Sequence, residues 1–251
     1  MSTAPTQEDE KLKPKPRLLL LHGGGTSPSI FGLQARKLAL LLQPHFDLVF
    51  LQAPLPCPAG PGVLPFFDGC GPFFCWMDDR TPEAEARYWV EGMNQVVAEV
   101  ERLGPFVGVL GFSQGAKVAM EVVRRLERVH RGACGDEKEE GACPSWFKVV
   151  VTVCGTAPFQ GGVEGRLVRD GQQEARDKGF RESLAGGVVK AQSVHLIGEE
   201  DPWRPESEKL VEFFDEVRRT VIRFKGEHHM PRDNETNGQV ARLILEEYQK
   251  V

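Results

Sequence analysis

Phe106-Val107-Gly108-Val109-Leu110-Gly111-Phe112-Ser113-Gln114-Gly115-Ala116-Lys117-Val118-Ala119-Met120-Glu121-Val122-Val123 is the stretch that decides the fold. Residues 106–110 form an apolar run that reads as a buried strand, and 116–123 have the periodicity of an amphipathic helix. Between them Ser113 stands at the apex of a turn with a glycine two residues away on either side. Glycines there let the strand and helix backbones pass close together and tolerate a strained turn. The strain lifts the serine hydroxyl out at the top of a sheet, which is the geometry of a nucleophile elbow.

An elbow needs an acid and a histidine further along, in the order serine, acid, histidine, for the α/β-hydrolase fold. Asp201 is the acid candidate. It follows the β-rich run Ser193-Val194-His195-Leu196-Ile197 and the turn Gly198-Glu199-Glu200. This puts a carboxylate at the C-terminal end of a strand, where open α/β sheets bind ligands. Glu199 and Glu200 are the alternatives. The histidine comes from Gly226-Glu227-His228-His229-Met230-Pro231, after the β-rich run 220–224. Spacing alone leaves His228 and His229 both open. As a metal site the pair is weak, because adjacent loop side chains rarely converge on one ion and no cysteine or carboxylate cluster is spaced to help. No metal and no cofactor are expected. His45 and His130 read as surface positions, His195 alternates within a strand, and His22 reads as structural.

The remaining catalytic part is an oxyanion hole. Leu18-Leu19-Leu20-Leu21 is an apolar strand that runs into His22-Gly23-Gly24-Gly25-Thr26. A glycine-rich loop there can aim Gly24 N–H, or that of Gly25, at a developing oxyanion, with the N–H of Gln114 as its partner. A phosphate-loop reading of the same glycines fails, since neither nucleotide-binding spacing is present.

Composition narrows the classes. A chain of 251 residues buries a sizeable core and fits one α/β domain from 17 to 251. The net charge of −5 leaves no electrostatic footprint for nucleic acid or an anionic membrane. No apolar stretch reaches the ~20 residues of a transmembrane helix. Residues 1–16 are polar and proline-bearing, without the apolar core of a secretory signal, and read as a flexible tail. A cytoplasmic chain with reduced thiols is the expectation; Cys134 and Cys143 would pair only in an oxidising compartment.

Strand-like and helix-like runs alternate, as in a mostly parallel sheet with helices on both faces. Strands are expected at 17–21, 47–51, 106–110, 147–153, 193–197 and 220–224. Helices are expected at 30–42 (with Ser29 as N-cap), 83–103, 205–218 and 235–249. Three segments lack periodicity. Residues 53–79 are rich in proline, glycine and aromatics, and read as an ordered loop walling the site, with Phe74 and Trp76 as substrate contacts. Residues 131–144 read as a mobile insertion. Residues 155–190 read as a cap, with Phe159 near its base.

Together these residues resemble the fungal family of serine hydrolases related to the human ovarian-cancer-associated esterase. The resemblance runs from Arg17 onward. It is most specific at Gly104-Pro105-Phe106-Val107-Gly108-Val109-Leu110-Gly111-Phe112-Ser113-Gln114-Gly115-Ala116, close to that family's Gly-Pro-Phe-Asp-Gly-Val-Leu-Gly-Phe-Ser-Gln-Gly-Ala. The family's Gly-Gly-His-x-x-Pro motif aligns with His228 and leaves His229 at a variable position, where it becomes a candidate substrate contact. Glu227 departs from the motif's second glycine. The resemblance implies hydrolysis of esters or thioesters by a Ser113, Asp201 and His228 triad. Within the family the chain looks most like members encoded with polyketide synthases. Those act on small-molecule acyl substrates held on a synthase's acyl carrier domain. A free-standing carboxylesterase or lactonase is the alternative, and a non-catalytic binding protein on the same fold is the alternative of another class.

Overall fold

A computed structural model describes residues 14–78, 81–134, 147–158 and 172–250. Phe159, Cys143, most of the expected N-terminal tail and most of the expected insertion lie outside the described residues. The elements run β1 (Arg17–Leu21), α1 (Pro28–Gln34), α2 (Arg36–Leu42), β2 (Asp47–Leu51), β3 (Leu55–Cys57), β4 (Phe73–Cys75), α3 (Pro82–Leu103), β5 (Gly108–Phe112), α4 (Gln114–Cys134), β6 (Val149–Val153), α5 (Gln172–Ala185), β7 (Gln192–Gly198), α6 (Arg204–Val211), β8 (Arg219–Phe224) and α7 (Asn234–Gln249).

Six strands form one parallel sheet in the order β2-β1-β5-β6-β7-β8. The period-2 alternation of the strands splits the core in two. Leu18, Leu20, Val151 and Leu196 face Phe31, Leu38 and Val240 of α1, α2 and α7. Leu19, Leu21, Val109 and Val150 face Met93, Val118 and Leu210 of α3, α4 and α6. Both faces are therefore covered, as the apolar strands require.

Boundaries differ from the sequence reading in three places. The first helix is capped by Ser27, whose hydroxyl accepts the Ile30 N–H, and not by Ser29. It also breaks at Ala35 into two short helices, which lets Leu38 and Leu42 turn onto the sheet. The strand before the elbow starts at Gly108 and reaches Phe112, so the turn is tighter than the apolar run suggests. The helix from 204 stops at Val211, because Phe213 and Phe214 turn into the core. A separate 3-10 turn, Glu216–Arg218, is capped by Asp215.

The α3/α4 face carries a buried polar cluster. His195 Nδ1 lies 2.7 Å from Thr152 Oγ1, its Nε2 lies 2.9 Å from Ser193 Oγ, and its ring meets Phe214 edge-on. Burial, with Arg219 nearby, pushes the His195 pKa down to about 3. Folding holds this imidazole neutral, whereas the unfolded chain protonates it below about 6.5. Stability therefore falls as pH drops from about 6.5 towards 3, by up to ~1.4 kcal/mol per pH unit from this group. Urea midpoints at pH 7 and pH 5 should differ in this sense, and His195→Gln should flatten the difference. An equal pH dependence in the variant would assign the acid lability elsewhere.

Candidate active site

The sheet order reverses between β1 and β5, and the loops leaving these two strands open a crevice at the strands' C-terminal ends. One loop is His22-Gly23-Gly24-Gly25-Thr26 and the other is the elbow. Ser113 has φ 54°, a left-handed backbone rare outside glycine. A Cβ at Gly111 would come within 2.3 Å of Gly115 O, and one at Gly115 within 2.4 Å of Leu21 O. Both positions therefore exclude any side chain, and the elbow packs directly on the end of β1.

Ser113 Oγ lies 2.8 Å from His228 Nε2, and His228 Nδ1 lies 2.9 Å from Asp201 Oδ2. The three side chains sought in sequence thus form one hydrogen-bonded relay. Glu199 and Glu200 are exposed, and their N–H groups donate to Phe224 O and Gly226 O, stitching the acid loop to the histidine loop. His229 turns away from the relay: its Nδ1–H donates to Met230 O and its Nε2 accepts the Glu227 N–H. It braces the loop that presents His228, and it also lines the cleft.

Burial pushes the Asp201 carboxyl up. The His228 hydrogen bond and charge, the Trp203 N–H at 2.8 Å and the Cys154 thiol outweigh that, and the net shift is downward. Asp201 is therefore an ionised, oriented acceptor that fixes the proton of His228 on Nδ1 and leaves Nε2 to accept from Ser113. The Trp203 ring packs against His228 at a 60° tilt, 4.5 Å between centroids. Neither Trp203 nor Cys154 was singled out in the sequence. Trp203, two residues after the acid, carried a signal; Cys154 carried none. Cys154, fully buried at φ 46°, sits beside Asp201 with Sγ 3.7 and 3.8 Å from the carbonyls of His229 and Glu227. Burial and the Asp201 charge push its pKa up. Its sulfur, Asp201 and a His228 ring nitrogen lie within 4.8 Å of one another. With the thiol held protonated and Asp201 spent on His228, the set is arranged for hydrogen bonding rather than ligation.

The glycine loop is held by a second buried histidine. The Ala53 N–H donates to His22 Nε2 (3.1 Å), so the ring proton sits on Nδ1, facing Gly23 O at 2.7 Å. Burial lowers the His22 pKa and favours this neutral form. The Gln114 side chain links the elbow to the 73–78 segment: Oε1 accepts the Trp76 N–H and Nε2 donates to Met77 O. Gly24 packs against this amide, where a Cβ would lie 3.2 Å from Gln114 Oε1. The Gly25 N–H is already given to Phe74 O at 2.9 Å.

The segment 53–78 does wall the cleft, a cavity of about 1220 Å³ lined by Leu55, Val63, Phe66, Phe67 and Met77 among others. The structure corrects the expected contacts within it. Trp76 is fully buried and its indole N–H donates to His22 O, so it supports the glycine loop from behind. Phe74 pairs through its backbone with Gly25 and Thr26 and packs its ring on the core. Neither lines the cleft. Of the segment expected as a cap, 155–190, Thr156 lines the cleft, 159–171 lie outside the described residues, and α5 packs on α3 with none of 172–190 lining the cleft.

Residues 12–240 match the FSH1 serine hydrolase family. The chain belongs to this family. Its relatives include the esterase FUS5 of Gibberella moniliformis, 36% identical over 239 residues, covering 93% of this chain and 88% of the relative. The thioesterase FSL2 of Gibberella zeae is 30% identical, covering 92% and 91%. The dihydromonacolin L-[lovastatin nonaketide synthase] thioesterase of Aspergillus terreus is 27% identical, covering 90% of each chain. A monoacylglycerol lipase from Paleococcus ferrophilus shares the fold, with a TM-score of 0.56 at 15% identity over 93% of this chain and 96% of the lipase. The chain is thus a serine hydrolase of α/β-hydrolase fold. No helix among the described residues is long and apolar enough to cross a membrane.

Proposed function

We propose that this FSH1 hydrolase cleaves acyl thioesters by way of an acyl-enzyme on Ser113, and that it releases acyl chains from the carrier domain of a polyketide synthase. The observation that carries the chemistry is the unbroken relay from Ser113 through His228 to Asp201 at a roomy, largely apolar cleft. The relatives named as thioesterases, one of them of a polyketide synthase, support the substrate class.

His228 Nε2 takes the Ser113 proton as Oγ attacks the acyl carbon. The N–H groups of Gln114 and Gly24 bind the tetrahedral oxyanion, Gly25 being committed to Phe74 O. His228 returns the proton to the departing thiolate sulfur. It then takes a proton from water, whose oxygen attacks the acyl-enzyme, and gives it to Ser113 Oγ as the acid leaves. Asp201 stabilises the imidazolium in each half.

Intact-protein mass spectrometry after mixing with octanoyl thioesters and matched octanoyl esters tests this reading, with Ser113→Ala as control. An octanoyl adduct on the wild type alone, formed faster from thioesters, is the expected result. Adducts from esters only would replace the thioester reading with a small-molecule esterase, which the esterase name of the FUS5 relative favours.

A further inference from the structure

The mouth of the cleft combines exposed apolar and cationic side chains. Leu33 and Phe66 line it while 56% and 86% exposed. Arg36 and Arg232 line it too, and both are exposed. The segments carrying them are stitched together, because Lys37 Nζ donates to Arg232 O and to Asn234 Oδ1. Among the described residues neither guanidinium forms an ion pair; Arg36 donates only to Leu33 O, one turn back on its own segment. Asp233, beside Arg232, is spent on capping α7 through the Thr236 N–H. Among the described residues, the carboxylates on the cleft wall are Asp78 and Glu227. A chain of net charge −5 therefore sets at its reaction cleft two arginines that have no ion-pair partner among the described residues.

We propose that Arg36 and Arg232 bind the phosphate of a phosphopantetheine arm whose thioester lies at Ser113. This rests on the thioester reading above. Guanidinium groups present paired donors that match phosphate oxygens, which ammonium groups do not. The reach fits. Arg232 is four positions past His228, so their Cα atoms are at most about 14 Å apart, and the arginine side chain extends the span. A pantetheine arm has about 13 bonds from sulfur to phosphorus and at ~1.2 Å per bond spans about 16 Å extended. Its dimethyl-substituted carbon lies just inside the phosphate, where Leu33 offers apolar surface one turn before Arg36. The same phosphate occurs in two sources, a carrier domain and coenzyme A.

The test uses turnover of p-nitrophenyl octanoate as a reporter, with pantetheine and 4′-phosphopantetheine as inhibitors. Phosphopantetheine should inhibit the wild type at least ~tenfold better than pantetheine, and that ratio should fall towards one in Arg36→Ala/Arg232→Ala at an unchanged melting temperature. Equal inhibition of the wild type by the two compounds overturns the proposal, as does a ratio that survives in the double variant. Turnover of octanoyl-phosphopantetheine is measured separately. Its absence alongside a clear inhibition ratio would defeat the thioester reading while the phosphate site stands. Octanoyl-carrier and octanoyl-coenzyme A then separate the two sources: the substrate with the higher kcat/KM is the source assigned.

Discussion

Ser113→Ala is expected to lower kcat by on the order of 10⁴–10⁶-fold with little change in melting temperature. The substitution removes the one oxygen that His228 Nε2 contacts at 2.8 Å and leaves the Cβ in the same left-handed turn. Because the relay acts as a unit, Ser113→Ala/His228→Ala should cost little more than either change alone. Asp201→Asn should cost on the order of 10⁴-fold, since an amide in that place lets the imidazole put its proton on Nε2. His229→Ala should act mainly on KM, because His229 lines the cleft and braces its loop without entering the relay. Steady-state kinetics on one activated ester decides all four. Turnover above about 1% in Ser113→Ala would remove Ser113 from the nucleophile's role, given the loss expected of a triad serine.

The elbow, the strand alternation and the order of serine, acid and histidine were legible because each is written in consecutive residues. Glycines at 111 and 115 report a close backbone approach, and the apolar runs report buried parallel strands. What the sequence hid depends on contacts between distant segments. An aromatic residue in an aperiodic loop carries no sign of which way it points, so Trp76 read as a wall of the cleft although it supports His22 from the core. The β3–β4 pairing was equally silent, because three-residue strands with Pro56 in one of them show no alternation. The roles of Cys154 and the Gln114 side chain appear only once β6, the acid loop and the 73–78 segment are brought together. The choice of Asp201 over Glu199 and Glu200 likewise needed the turn, which leaves both glutamates in solvent.

Glu85→Ala is expected to destabilise the protein by about 3–5 kcal/mol and lower its melting temperature by roughly 6–20 °C. Glu85 stands in the first turn of α3, and its Oε1 accepts a hydrogen bond from Lys117 Nζ at 2.9 Å, with both side chains fully buried. Lys117 is four residues past Ser113, so the pair fastens the helix that follows the elbow to the helix that crosses it. Removing the carboxylate takes the Glu85 counter-charge away from an ammonium group buried where water does not reach, and that desolvation penalty, not the attraction itself, dominates the loss. The matched change Glu85→Leu/Lys117→Met should therefore recover most of the stability lost in Glu85→Ala, since neither charge remains to be desolvated. Urea unfolding of the three forms measures this. A double variant no more stable than Glu85→Ala would mean that the pair contributes specific attraction beyond cancelling its own burial. A loss under about 1 kcal/mol in the single variant would mean that water reaches Lys117, as it does in exposed ion pairs. Kinetics at a temperature where every form is folded adds the functional half. If the pair holds the elbow in register, kcat should fall in Glu85→Ala and return in the double variant, while KM stays near that of the wild type.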